Sequence, residues 1–332
     1  MKRIQPIYNA RLFLKPRWLF LPLLFIIPVM ASSCGGGGDV SLAGGGIGGS
    51  GYTSVGAVTA LGSIFVNGVE FQTAGASVTL NGVSADEKEL QVGMVVKVAG
   101  SVNADGKTGK ADRVVFAPNV AGPVSSIDHG RNTLHVMGQT VFVDGQTAFA
   151  GLSGSSAGLS GIGVNDPVEI SGLTDADGSI RATRITRKAA GFPFEVNGRV
   201  TNLTSVTFRF NNLTIDYSKL AAGGIQDGDC VTVRGALTSS TTLSADYIER
   251  KVLDAAEDSP VEIEGFITNL SYSGMWAGGF AIYTPYGHHR VEFDASTGCS
   301  GGRLDTMKAG ARVKVHGTIR NNTIHAGHMM MM

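Results

Sequence analysis

The sequence predicts an all-β chain of tandem small barrels, and three observations carry that prediction. A stretch of the form Gly-x-x-Val-x-Val-x-Gly occurs as Gly93-Met-Val-Val-Lys-Val-Ala-Gly100, Asn165-Asp-Pro-Val-Glu-Ile-Ser-Gly172, Gly228-Asp-Cys-Val-Thr-Val-Arg-Gly235 and Gly310-Ala-Arg-Val-Lys-Val-His-Gly317. A second stretch precedes each: Gly56-Ala-Val-Thr-Ala-Leu61, Gly122-Pro-Val-Ser-Ser-Ile127, Gly198-Arg-Val-Thr-Asn-Leu203 and Gly265-Phe-Ile-Thr-Asn-Leu270. Two motifs recurring in one order mark an internal repeat, here of about 65–75 residues. Composition agrees: 47 glycines, 16% charged residues and plentiful β-branched residues suit ordered β structure and not a disordered chain.

Taken in order, residues 1–33 read as an export signal. Lys2, Arg3, Arg11, Lys15 and Arg17 precede an apolar run over 18–30 that is too short, and too broken by Pro22 and Pro28, to span a bilayer stably. The run ends in Ala31-Ser32-Ser33-Cys34, which resembles the lipobox of bacterial lipoproteins. That resemblance implies an acylated Cys34 as the mature N-terminus; ordinary cleavage nearby with a free thiol is the alternative. Gly35 stands where an Asp would imply inner-membrane retention, so by the same resemblance the expected location is the outer membrane of a cell envelope. Residues 34–52 form the lipidated Cys and a Gly-rich tether reaching roughly 20–25 Å as a flexible coil.

Four repeats follow, over residues 53–117, 118–189, 190–254 and 258–328, with a Met tail at 329–332. In the first, strands over 63–66 and 69–73 flank Asn67-Gly68, a strong hairpin signal. Residues 85–90 suit one helical turn, and the Gly93 strand follows. Asn103-Ala-Asp-Gly106 then turns the chain into a strand over 110–116, a pattern that the second repeat copies with Asp175-Ala-Asp-Gly178 and a strand over 181–186. Within the Gly93 stretch and its echoes, apolar residues alternate (Val96/Val98, Val168/Ile170, Val231/Val233, Val313/Val315), as in strands with one face buried and one wet. Their first position is Gly or Asn, suited to positive φ, and the last Gly is expected to release the chain into a loop. Strand, hairpin, short helix, strand, turn, strand is the order of a five-stranded OB-like β-barrel. Each barrel is expected to seal its own interior, with no sheet running across module borders. Small β-sandwiches are the alternative, because one sequence does not show strand order.

With its lipobox, its tether and the blocks Val-Asn-Gly-Val, Gly93–Gly100 and Asn103–Gly106, the chain resembles bacterial exported lipoproteins built from tandem OB-like domains of unknown function. The resemblance is strongest in the first repeat and rests on the two short motifs in the third and fourth. It implies architecture and no catalytic residues.

Charge excludes one partner class. Without the five N-terminal cations the chain carries 22 basic against 27 acidic groups, which argues against nucleic acid. Motifs that mimic enzymes fail on context. Gly46-Ile-Gly-Gly-Ser-Gly51 lies in the tether, and Gly154-Ser-Ser-Ala-Gly158, with Ser156 at the nucleophile position, has no strand before it. The Asp-x-Asp-Gly turns lack the Glu that completes a calcium loop. No cofactor is expected and the chain is not expected to be an enzyme.

Three candidate sites are left. Phe280, Tyr283, Tyr286, His288 and Arg290 occupy strands 2–3 of the fourth repeat, where OB folds bind ligands, and an aromatic-plus-polar set suits a sugar or peptide, with cross-strand packing as the alternative. His288, His289, His316, His325 and His328, with the Met tail, form a candidate copper-type metal site, against a solvated surface and an unstructured end. Cys230 and Cys299 are a candidate disulfide, with Cys230 out of phase with the buried pair and so facing outward. The expected function is a membrane-anchored, non-catalytic binding or scaffold lipoprotein, its partner an envelope protein or glycan; metal binding is the alternative.

Overall fold

The computed structural model describes residues 51–152, 158–220 and 224–332. The expected export signal, Cys34, nearly all of the expected tether and Ser156 lie outside them.

The first repeat comprises β1 (Tyr52–Ala60), β2 (Ile64–Val66), β3 (Val69–Gln72), β4 (Ser77–Leu80), β5 (Val83–Ala85), β6 (Val95–Val102) and β7 (Thr108–Phe116). Asn67 and Gly68 both have positive φ, so the β2–β3 hairpin turns as its sequence requires. The expected helical turn is a 3-10 segment at Glu87–Glu89, closed by a capping box between Asp86 and Glu89. Strand pairing runs β1-β2-β3-β7-β6 and back to β1, with β3 and β7 parallel. This is a closed five-stranded OB-type ring.

The second repeat has β8 (Val120–Asp128), β9 (Thr133–Val136), β10 (Gln139–Phe142), β11 (Ala148–Ala150), β12 (Pro167–Thr174) and β13 (Ile180–Arg187), and its ring closes in the same order. The third uses β14 (Phe194–Arg199), β15 (Thr207–Phe210), β16 (Leu213–Asp216), β17 (Cys230–Ser239) and β18 (Thr242–Arg250). A single bridge between Thr201 and Arg209 completes that ring. The fourth has β19 (Pro260–Phe266), β20 (Thr268–Gly274), β21 (Ala277–Thr284), β22 (Gly287–Phe293), β23 (Gly298–Ser300), β24 (Arg312–Arg320) and β25 (Thr323–Met331). Here β19 and β20 form one long first strand broken at Ile267, which pairs with β24 at one end and β21 at the other.

The repeated glycines have three separate jobs. Gly93, Asn165, Gly228 and Gly310 all take positive φ, the turn that starts the fourth strand of each ring. In the first strand, a Cβ on Gly56, Gly122, Gly198 or Gly265 would fall within 3.0 Å of Asn67, Met137, Phe210 or Ile282 respectively. Each glycine thus leaves room for a side chain crossing the bend. The closing glycines differ from expectation. Gly100, Gly172, Gly235 and Gly317 lie inside their strands, each at a register shift where the fourth strand meets the fifth. A Cβ at any of them would run into the backbone carbonyl of Lys110, Arg181, Ser244 or His325. They bend the sheet into a ring instead of releasing it into a loop.

The predicted alternating pairs are buried in all four rings. Two expectations are corrected. The first is isolation of the modules. β1 pairs in parallel with β19 over Thr53–Val55, and β8 pairs with β14, so one sheet joins rings 1 and 4 and another joins rings 2 and 3. Rings 2 and 3 accordingly share one apolar cluster. The second correction concerns the wet face. Glu169, Glu195, Glu262 and Glu264 sit in the polar phase of their strands yet are buried, because neighbouring rings cover them. Each has a partner: Lys188 and Asn81 for Glu169, Arg234 for Glu195, Tyr52 for Glu262, Arg312 for Glu264. A buried charge left single would cost several kcal/mol, on the order of 3–5 by the usual partner deletions. The lysine and arginine pairs lie within one ring each, while Asn81–Glu169 and Tyr52–Glu262 tie ring 1 to rings 2 and 4. Tyr52 thereby belongs to the fold and not to the tether.

The carboxyl end is not a loose tail. β25 continues through Met331 and buries Met329 completely in the core of ring 4.

Candidate ligand face on the fourth ring

β21 and β22 pair from Gly278–Phe293 to Thr284–Gly287, and alternation splits the five predicted ligand residues between two environments. Phe280 points inward and packs against Phe293 at 6.2 Å. Tyr286 is buried as well. Its hydroxyl lies 2.8 Å from the carbonyls of Val95 and Val115 and accepts from the amide of Ala117, so it fastens ring 4 to ring 1. Neither is free to meet a ligand, which corrects that part of the prediction.

Tyr283, His288 and Arg290 do face outward. The rings of Tyr283 and His288 stack at 4.7 Å, directly opposite one another across the two strands. Burial pulls His288 below the ordinary imidazole value, helped by Arg199 and Arg290. Arg290 pairs with Glu292 at 3.0 Å, and His325 on β25 lies 3.9 Å from the same carboxylate. Beyond them the face opens into a groove of about 420 Å³ between β20, β21, β22 and β25. Tyr272 stands on its wall, edge-on to Phe293, its hydroxyl donating to the Leu304 carbonyl at 2.8 Å. Trp276, in the β20–β21 turn beside that wall, is exposed with Arg303 over its ring at 5.6 Å.

The five predicted metal ligands do not gather. Among the described residues no three His, Cys, Asp or Glu side chains approach closely enough to hold an ion. His289 points into the core, where its Nε2 meets the Thr284 hydroxyl at 2.7 Å. His316 and His328 face each other across β24 and β25 on the outside, while His288 and His325 lie on the face just described. Alternation along three strands, not a shared loop, distributes them.

The candidate disulfide is not formed: Cys230 and Cys299 are both free. Cys230 is out of phase with Val231 and Val233, as predicted, but it is buried, since the β21–β22 turn of ring 4 lies over it. Cys299 sits apart on β23, against β25.

Three segments of the chain, residues 54–114, 121–186 and 194–249, match the domain of unknown function DUF5666, and together they span more than half of it. The chain belongs to the DUF5666 family. The DUF5666 segments coincide with rings 1, 2 and 3, so tandem repetition of the domain is a property of the chain. Ring 4 lies outside the matched DUF5666 segments yet repeats the same strand pairing. The groove is on that ring. No curated protein matches the chain. A solved structure, drosophila Unr CSD456, aligns over 65% of this chain and 97% of its own at 15% identity and a TM-score of 0.17, which carries no argument.

The exposed aromatics beside the groove, Tyr272 and Trp276, were not among the residues the sequence pointed to. Tyr272 lies near the end of β20, and Trp276 is in the two-residue turn, Met275-Trp276, that follows it. A Trp and a Tyr at a two-residue turn, among Ser and Gly that cannot cover them, are the readable signal.

Proposed function

We propose that the chain is a non-catalytic binding module of the cell envelope, carried to the membrane by an acylated Cys34, and that ring 4 presents an uncharged, hydroxyl-rich glycan with its groove. One observation supports the glycan most. The one arginine of the groove is already paired with Glu292, which His325 also approaches, and the remaining carboxylate, Asp294, is held by the Ser296 amide and hydroxyl, beside exposed aromatic surface at Tyr272 and Trp276. A charged ligand would have to break those pairs, whereas a sugar ring stacks on an aromatic and hydrogen-bonds around them. The anchoring half of the reading rests on the basic and apolar N-terminal sequence and its lipobox-like ending. Tandem rings on one tether add avidity wherever more than one binds.

The test uses a tetramer of β-linked N-acetylglucosamine as the probe, titrated into the whole chain and followed by NMR. The expected result is saturable movement of the Trp276 indole and His325 signals, with affinity about tenfold weaker in Trp276→Ala, equivalent to about 1.4 kcal/mol. Unmoved signals at millimolar probe would remove the glycan reading.

A further inference from the structure

A second hollow, separate from the groove, lies where rings 2, 3 and 4 meet, and its volume is about 250 Å³. That is below the ~300–1,000 Å³ of pockets for drug-sized molecules, so its occupant is small. The floor is neutral. Burial pushes the Cys230 thiol up to about 12, which keeps it protonated. Phe210 and Pro285 add apolar surface, and the Thr284 hydroxyl is held by His289. The one carboxylate set into the wall, Asp175, is matched by the guanidinium of Arg181 at 3.0 and 2.9 Å.

The rim is charged, with opposite signs. Arg199 and Asp177 are both exposed there, and neither has an ion-pair partner among the described residues. Arg199 stands 5.8 Å from the Tyr283 ring centroid with its N–H groups uncommitted. Asp177 accepts from the Ser179 amide at 2.9 Å and the Ser179 hydroxyl at 2.5 Å, both on Oδ1, which leaves Oδ2 open. The same Ser179 contacts hold its carboxyl below the usual range, so it is ionised at neutral pH.

We propose that this hollow binds a free amino acid with an uncharged side chain: its carboxylate on Arg199, its ammonium on Asp177, its side chain over Cys230, Phe210 and Pro285. An isolated anion would meet Asp177 and an isolated cation would meet Arg199. A neutral sugar would leave both charges without a partner, whereas a zwitterion answers both with charge-assisted hydrogen bonds. The neutral floor disfavours a third charge on the side chain. Because the three walls come from three rings, an occupant ties them together and stabilises the folded chain in proportion to its occupancy.

The probes are L-alanine, L-serine, L-valine and D-alanine, each compared with its N-acetyl amide, in calorimetric titrations of the whole chain. At least one free amino acid is expected to bind, with its blocked form at least tenfold weaker. Arg199→Gln and Asp177→Asn are each expected to weaken it tenfold or more while leaving the melting temperature without ligand unchanged. The proposal is overturned if no free amino acid binds at 10 mM (~20 times a weak 0.5 mM site), if blocked forms bind equally, or if both variants bind like the wild type. The free-against-blocked comparison uses wild-type protein, so it decides the matter even if a variant misfolds. It is also independent of the groove, since neither Trp276 nor His325 lines this hollow.

Discussion

Gly100→Ala is expected to destabilise the chain by about 3 kcal/mol, the upper range for forcing an extra methyl into packed structure. The added Cβ would point at the Lys110 carbonyl, a backbone atom in the facing strand. A side-chain neighbour could turn away, but this carbonyl is part of the β6–β7 ladder. The strand would have to straighten at the bulge, and straightening opposes ring closure. The same clash waits at Gly172, Gly235 and Gly317, so alanine there is expected to act alike. Gly145 is the control, since nothing lies within 4 Å of its Cβ position. Gly145→Ala is expected within about 0.5 kcal/mol of wild type or slightly above it, by reduced freedom of the unfolded chain. Urea unfolding midpoints give both numbers. Equal effects at Gly100 and Gly145 would contradict the bulge account.

Stability is also expected to fall as pH drops from 7 to 5, with His289 as the main histidine contributor. Burial first, then the neighbouring His288 and Lys97, push its imidazole down to about 3, against an ordinary value of 6.5. Its Nδ1 has no partner in the core, so no acceptor awaits a second proton. The folded value is below the unfolded one, and between them the unfolded chain binds a proton that the folded chain refuses. The stability from this group is therefore fully present above about pH 6.5 and drains as pH falls toward 3. The loss between pH 7 and 5 is about 2 kcal/mol. His288 is lowered too and acts in the same direction. His289→Gln, which keeps a polar group facing Thr284 and cannot titrate there, isolates the effect. Its stability is expected to vary less over that range, by about 2 kcal/mol, in denaturation at pH 7, 6 and 5. Parallel pH profiles for variant and wild type would show that His289 is not excluded from protonation.

Much of the ring was legible in the sequence because its signals are local. The alternation around Val96 and its three counterparts, the Asn67-Gly68 turn and the positive-φ openings at Gly93, Asn165, Gly228 and Gly310 each act within a few residues. What was not legible depends on partners far along the chain. Nothing near Thr53 announces that β1 will lie beside β19, some two hundred residues later. The buried Glu262 and Glu264 look like solvent-facing residues until a second ring covers them. Cys230 shows the same limit: its phase gave the correct direction, and the burial came from ring 4. The five candidate ligand residues were divided between two environments for a related reason. They share two paired strands and their turn, but Phe280 and Tyr286 are one step out of phase with Tyr283 or beyond the strand end, and the core or ring 1 takes them. The histidines were grouped by their nearness in sequence, whereas strand alternation spreads them over both surfaces and the interior.

The central claim is that four OB-type rings are fused in pairs by shared sheets. Amide–amide NOEs in the deuterated chain test it most directly, read across β1 and β19 at Thr53–Val261 and Val55–Ile263, and across β8 and β14 at Ala121–Glu195. Cross-peaks at those pairs, alongside the pairs inside each ring, are the predicted result. Ring-internal cross-peaks with none between β1 and β19 or between β8 and β14 would mean four separate barrels on a string, and would contradict the account.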